Sequence, residues 1–174
     1  MSLETEVFKS EETGVDPVFA NDFVSMEYSN DGSLLITVGT GLGAVALVRR
    51  SGKILMIRTP RYATGSFEWE LPRGGSLEDE SAVETAARCV EGWTGVTVDE
   101  SSVIHLGVMN PDPELLTNEV SLLLLDTLNS TVRTNHENVK WVGIEELVAA
   151  CLNGEIEDSF TCMAVLRARL NAMI

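Results

Sequence analysis

The sequence predicts an α+β domain with a mixed sheet, and three observations predict it. Short apolar runs recur between turn formers at strand-like spacing. Asn30-Asp31-Gly32 and Ser51-Gly52 each stand between two such runs, which is the pattern of hairpins. Two stretches with helical periodicity follow, one opening at Ser81 and one near Asp158. Strands and helices interleaved in this way pack as helices on a sheet. A chain of 174 residues with 44% hydrophobic content can bury a core of that kind, and a single domain is the default.

The elements follow in chain order. Residues 1–20 are acidic, lack periodicity and hold the turn formers Gly14 and Pro17, so they read as a loosely ordered arm. Residues 23–28 and 33–38 are the strands of the first hairpin. Gly39, Gly41 and Gly43 form a GxGxG pattern, but a dinucleotide fingerprint needs a helix after it, and residues 44–48 read as a strand. That strand and residues 54–58 make the second hairpin, and residues 59–67 read as a loop holding Pro60, Arg61 and Gly65. A short strand around Trp69 then feeds a glycine loop and an acidic turn. Ser81 and Glu84 have capping-box spacing for the helix that follows, and Gly95 is suited to ending it.

Residues 103–109 are strand-like and are broken by Asn110-Pro111-Asp112-Pro113. Residues 119–126 contain an apolar run too short for a buried helix and suited to a core strand. Residues 139–142 form a last strand, and residues 144–151 a short helix closed by Asn153-Gly154. Asp158 or Ser159 caps a final helix to about residue 172, with Met163, Leu166 and Leu170 expected on its inward face.

Composition narrows the partners. The net charge of −15 repels nucleic acid and anionic membranes, and no apolar run is long enough to span a bilayer. The N-terminus carries no basic region followed by an apolar one, so the expectation is a soluble, cytoplasmic protein. Arg49, Arg50, Lys53, Arg58, Arg61 and Arg73 gather half of the 12 basic residues into a short stretch, enough to hold a small anion such as a nucleotide diphosphate. Cys89, Cys151 and Cys162 include no CxxC pair, which argues against a disulfide framework or a zinc cluster.

Residues 74–96 resemble the Nudix box: Gly, five residues, Glu, seven residues, Arg-Glu, an aliphatic, one residue, Glu-Glu, one residue, Gly and an aliphatic. Gly74, Glu80, Arg88, Val90, Gly95 and Val96 stand in register with that pattern. Residues 69–74, Trp-Glu-Leu-Pro-Arg-Gly, are similar to the lead-in of Nudix hydrolases of the ADP-ribose pyrophosphatase type. So are the loop at residues 58–65 and the stretches at residues 141–147 and 154–161. The resemblance covers roughly residues 23–170.

The resemblance implies a three-layer α/β/α sandwich that hydrolyses nucleoside diphosphates joined to another group, with Mg²⁺ or Mn²⁺ held by box glutamates. It divides the chain into the arm at residues 1–20, an N-terminal hairpin at residues 21–39 and a Nudix domain at residues 40–174. It also implies a homodimer in which the hairpin is the dimerisation element.

Three glutamates of the box are replaced, by Cys89, Gly92 and Trp93. These positions share one side of a helix turning about 100° per residue, the side where the family places its metal ligands. Glu84, Arg88 and Glu91 lie on a neighbouring stripe, spaced for Glu84–Arg88 and Arg88–Glu91 pairs. The scaffold of the box is therefore Gly74, Glu80, Glu84, Arg88 and Gly95. Glu84 and Glu91 remain as substitute metal ligands, and Glu91 and Glu137 as candidate catalytic groups. Arg73, Gly74, Gly75, Arg58, Arg61 and Glu70 are candidate substrate contacts, with Glu119 a further acceptor. His136 reads as a surface histidine and His105 as structural. Two functions stay open: a divergent pyrophosphohydrolase of ADP-ribose or related nucleoside diphosphate sugars, and a catalytically silent nucleotide-binding protein of the same fold.

Overall fold

The structure is a computed structural model that describes residues 18–127 and 137–174. Most of the acidic arm expected at residues 1–20 lies outside the described residues, as does His136. The elements in chain order are β1 (Phe19–Ala20), β2 (Val24–Tyr28), β3 (Leu34–Val38), β4 (Leu42–Arg50), β5 (Lys53–Arg61), β6 (Ser66–Glu70) and β7 (Arg73–Gly75). They continue with α1 (Ala82–Thr94), β8 (Ile104–Met109), β9 (Glu119–Asp126), β10 (Val139–Gly143), α2 (Ile144–Asn153) and α3 (Ser159–Leu170).

β4 is the centre of the larger sheet because its run Gly-Ala-Val-Ala-Leu-Val is buried on both faces, as a covered strand requires. It runs parallel to β9 from Leu42 opposite Glu119 to Arg49 opposite Asp126, and the sheet continues antiparallel to β8 on that side. β5 and β10 flank the other side, again antiparallel, so the sheet is mixed. β5 keeps its pairing with β4 only at Arg49–Ile54 and Arg50–Lys53. Beyond that point it diverges to pair with β6, and β7 takes over the vacated edge of β4 at Gly43–Val45. That divergence is what places the glycine strand next to the centre of the sheet.

The core divides into two layers. Val45, Leu47, Met56, Leu122 and Leu124 face α2 and α3, which contribute Leu147, Ala164, Val165 and Ala168. Ala44, Ala46, Val48, Leu55 and Leu123 face α1, which contributes Ala86 and Val90. The alanines on the α1 side let that helix approach the sheet closely. Full burial of Val90 contributes roughly 1.5 kcal/mol or more by area. Helices on both faces of a mixed sheet make the α/β/α sandwich. β1, β2 and β3 form a separate three-stranded antiparallel sheet, in which β2 and β3 are the expected first hairpin.

Three local expectations are corrected. Residues 59–61 are strand, not loop: β5 runs to Arg61 and turns at residues 62–65 into β6. Pro60 is tolerated because its nitrogen lies on the side where Arg58 donates to Asn138, past the end of β10, so no ladder bond is lost. The glycine loop contains strand β7. On α3 the buried face is Thr161, Ala164, Val165 and Ala168, with Met163 packed against the core as expected, while Leu166 and Leu170 are exposed. Small residues let α3 lie close to the sheet, and its larger leucines point outward. His105 lies exposed on the outer strand β8.

Candidate functional site

The Nudix-box segment is built as a turn and a helix locked to each other. Ser81 accepts the Glu84 backbone N–H at 3.2 Å, and the Glu84 carboxylate accepts the Ser81 N–H at 2.8 Å, which completes the capping box. Gly95 ends α1 in the left-handed conformation at φ 66°, where a side chain would be strained. Arg88 reaches back across the turn. It donates to both oxygens of Glu80 at 2.7 Å and to the Gly75 carbonyl at 2.8 Å. Glu80 also accepts from the Thr85 hydroxyl and from the Leu77 N–H, each at 2.9 Å. The Arg88 guanidinium foremost, with the Leu77 and Thr85 bonds, holds the Glu80 carboxyl down at about 2.

The expected Glu84–Arg88 and Arg88–Glu91 pairs are thus replaced by one pair, Glu80–Arg88. Glu80 offers both oxygens to the guanidinium fork, whereas Glu84 is committed to its cap. Glu91 is exposed on the last turn of α1. The box scaffold therefore stabilises the turn, with Glu80 held by Arg88 and Glu84 Oε2 held by the Ser81 cap.

On the neighbouring side of α1, a cavity of about 430 Å³ is lined by Arg73, Gly74, Gly75, Arg88, Cys89, Gly92 and Trp93. Cys89 is buried against β7: a Cβ added to Gly74 would stand 2.7 Å from its Sγ. Burial raises the Cys89 thiol above its ordinary value, which disfavours the thiolate. A Cβ at Gly92 would meet nothing within 4 Å, and Trp93 is 50% exposed. The three replaced positions thus turn a neutral thiol, an empty space and an indole toward the cleft. Among the described residues, no group of three or more His, Cys, Asp or Glu side chains comes together to hold a metal ion. The donor set does not fit a divalent cation such as Mg²⁺ or Mn²⁺, which needs several oxygen ligands.

A second cavity, of about 310 Å³, shares Arg73, Gly74 and Gly75 and is otherwise mainly apolar, with Val38, Leu116, Val120 and Phe160 among its walls. Arg73 is common to both cavities and is tightly held. Its guanidinium bonds Glu70 at 3.1 Å and Asp158 at 2.9 Å, and lies 4.3 Å from the Phe160 ring centroid. Its Nε is buried without a hydrogen-bond partner. Glu70 is 1% exposed and also takes Arg61 on both oxygens, one of them at 2.9 Å.

The sequence-predicted residues therefore separate. Arg73, Gly74 and Gly75 meet at the cleft, joined by Arg88. Glu70 is the buried partner of Arg73 and also pairs with the half-exposed Arg61. Arg58 stacks on Phe67, 5.0 Å from its centroid, and Glu137 is exposed in the turn before β10; neither is among the residues lining the two cavities. Glu119 starts β9 opposite Leu42. Sequence reasoning missed Asp158 and Phe160 as the groups that clamp Arg73. Asp158 was legible only as a helix cap, a role it fills by accepting from Thr161 at 2.9 Å.

Comparison with known proteins bears on this site. No curated protein matches the chain in sequence. A crystal structure described as an ADP compounds hydrolase superposes with a TM-score of 0.73 at 12% identity, over 98% of this chain and 97% of that chain, a likeness of fold. The family model described as NUDIX domain matches residues 39–161, the span from the start of the central sheet to the first turn of α3, and the chain belongs to the Nudix family.

Proposed function

We propose that this chain is a Nudix-fold binding protein for a nucleoside diphosphate ligand of the ADP-ribose type, without cation-assisted hydrolysis. One observation carries the reading: the side of α1 facing the cleft presents Cys89, Gly92 and Trp93, beside a fully formed box turn and the Arg73–Gly75 strand. Arg73 supplies a guanidinium whose plane is fixed by Glu70, Asp158 and Phe160, so little side-chain entropy is lost when an anion binds. Arg88, paired with Glu80, supplies a second cation to the lining of the cavity. Trp93 offers an aromatic face to a base or other planar group. The lead-in at residues 69–74 is what favours an ADP-ribose-type ligand.

The test has two arms. A panel of nucleoside diphosphate sugars is incubated with the chain and Mg²⁺, then Mn²⁺, and phosphate and AMP release are measured. The expected result is no turnover above buffer; turnover of any member returns the protein to the hydrolases. A thermal shift with ADP-ribose in the presence of EDTA is expected to be positive, and its absence across the panel removes the binding reading.

We further propose that the partner is a second copy of the chain, through the sheet at residues 21–39. Phe23, Tyr28 and Val38 leave that stretch with large exposed apolar side chains, and Phe19 of the adjoining β1 adds a fourth. Light scattering that reports a monomer would remove this proposal.

A further inference from the structure

Two cysteines away from the cleft come together where α2 and α3 meet. Cys151 lies in the last turn of α2 and Cys162 in the first turn of α3, and both are half-buried free thiols. The two thiols are near enough that each shifts the other's titration, and Cys162 donates to the Ile156 carbonyl at 3.3 Å. Both sulfurs line one small cavity of about 160 Å³, with Val165 in its wall and Arg169 beside it. Its rim residues Leu152 and Leu166 are exposed. Both cysteines are only partly buried at this cavity, and neither lines the ligand cleft.

We propose that Cys151 and Cys162 are a dithiol that exchanges with a low-molecular-weight disulfide to close an intramolecular disulfide between α2 and α3. The Cys162 thiolate attacks one sulfur of the reagent, forming a mixed disulfide and releasing one thiol. The Cys151 thiolate then attacks Cys162 Sγ, breaking the mixed disulfide and releasing the second thiol. Two protein thiols are oxidised and one reagent disulfide is reduced to two thiols, so electrons and protons balance.

The order of attack follows from surroundings. Burial, then the neighbouring Cys162, pushes the Cys151 thiol up to about 12. Burial raises Cys162 as well, but the neighbouring Cys151 opposes that rise. Asp158 disfavours both thiolates. Exchange is accordingly slow at neutral pH and faster in mild alkali.

The bridge would matter beyond its own site. The turn of α3 that carries Cys162 also carries Asp158 and Phe160, the two groups that hold Arg73, and Thr161, whose hydroxyl accepts the Leu71 N–H at 2.9 Å. A disulfide pins that turn to the end of α2.

The experiment uses the folded full-length chain. It is incubated with excess glutathione disulfide, quenched by alkylation, and read by intact mass and peptide mapping, with far-UV circular dichroism to confirm that it stays folded. Free thiols should fall from the three of the sequence to one, with a cross-linked peptide joining Cys151 to Cys162 and Cys89 left as the free thiol. Cys151→Ser should stop at a mixed disulfide on Cys162, and Cys89→Ser should still form the bridge. The proposal is overturned if wild type keeps all its thiols, if it stops at the same mixed disulfide as Cys151→Ser, or if the bridge forms only in urea.

Discussion

Cys89 Sγ lies 2.7 Å from where a Cβ on Gly74 would stand, so the thiol occupies the volume that any side chain at position 74 would need. Sulfur and glycine are one packing unit between α1 and β7. Gly74→Ala should therefore destabilise the fold by about 1–3 kcal/mol through overpacking. Cys89→Ala in the same chain should return part of that loss, because it vacates the contested volume. Urea denaturation of the two single variants and the double variant measures the coupling; strict additivity would mean that the thiol moves aside freely.

The two exposed replacements can be reversed without disturbing that packing. Gly92 has open space around it and Trp93 is half exposed, so Gly92→Glu with Trp93→Glu should be accepted by the fold and should place two carboxylates at the cleft. Adding Mn²⁺ should then raise the melting temperature of the variant and leave wild type unchanged. At a metal concentration of 100 times Kd the stabilisation would be about 2.7 kcal/mol. A variant that folds but shows no metal-dependent shift would count against the alignment of α1 with the family's ligand helix.

Much of this was legible in the sequence, for reasons that can be assigned. The capping box at Ser81, the stop at Gly95 and the buried run of β4 depend on near neighbours in the chain, and each formed as expected. What could not be read depends on contacts distant in sequence. Glu70 looked like a free acceptor, yet Arg61 and Arg73 fill it. Arg88 was expected to choose partners on its own helix and chose Glu80 in the preceding turn. The inward face of α3 was misjudged because side-chain size suggested leucine, whereas the close approach of helix to sheet selected alanine and valine. Cys151 and Cys162 line one cavity, and nothing in a one-dimensional pattern brings them together.

Glu80 should give the fold a measurable sensitivity to acid. Its carboxyl is held at about 2 against an ordinary 4.5, first by Arg88. A lowered value means that the bonds to the charged form contribute fully above pH 4.5 and are lost as the pH falls through about 2. The lowered carboxyls of Asp31, Glu84 and Asp99 act in the same direction. Because Arg88 is partly exposed, solvent screening reduces the Glu80 contribution to about 1 kcal/mol. Glu80→Gln should be less stable than wild type at pH 6, with the gap closing as the pH approaches 2. A gap that is independent of pH in urea titrations would mean that shape, not charge, is what Glu80 supplies.

Arg61 and Arg73 share one buried carboxylate, and that allows stability to be separated from binding. Glu70 is 1% exposed, so removing either cation leaves a buried charge with half of its compensation. Loss of a buried partner costs about 3 kcal/mol when nothing replaces it. Arg61→Ala should cost less than this, since Arg73 remains. Arg73→Ala should cost more than Arg61→Ala, because it also leaves Asp158 without its partner and Phe160 without its stacked guanidinium. Adding Glu70→Gln should recover part of either loss by removing the buried charge. Only Arg73 lines the two cavities, so the thermal shift with ADP-ribose should survive in Arg61→Ala and disappear in Arg73→Ala. Equal ligand shifts in both variants would place Arg73 with Arg61 as a purely structural cation and move the diphosphate contact elsewhere in the cleft.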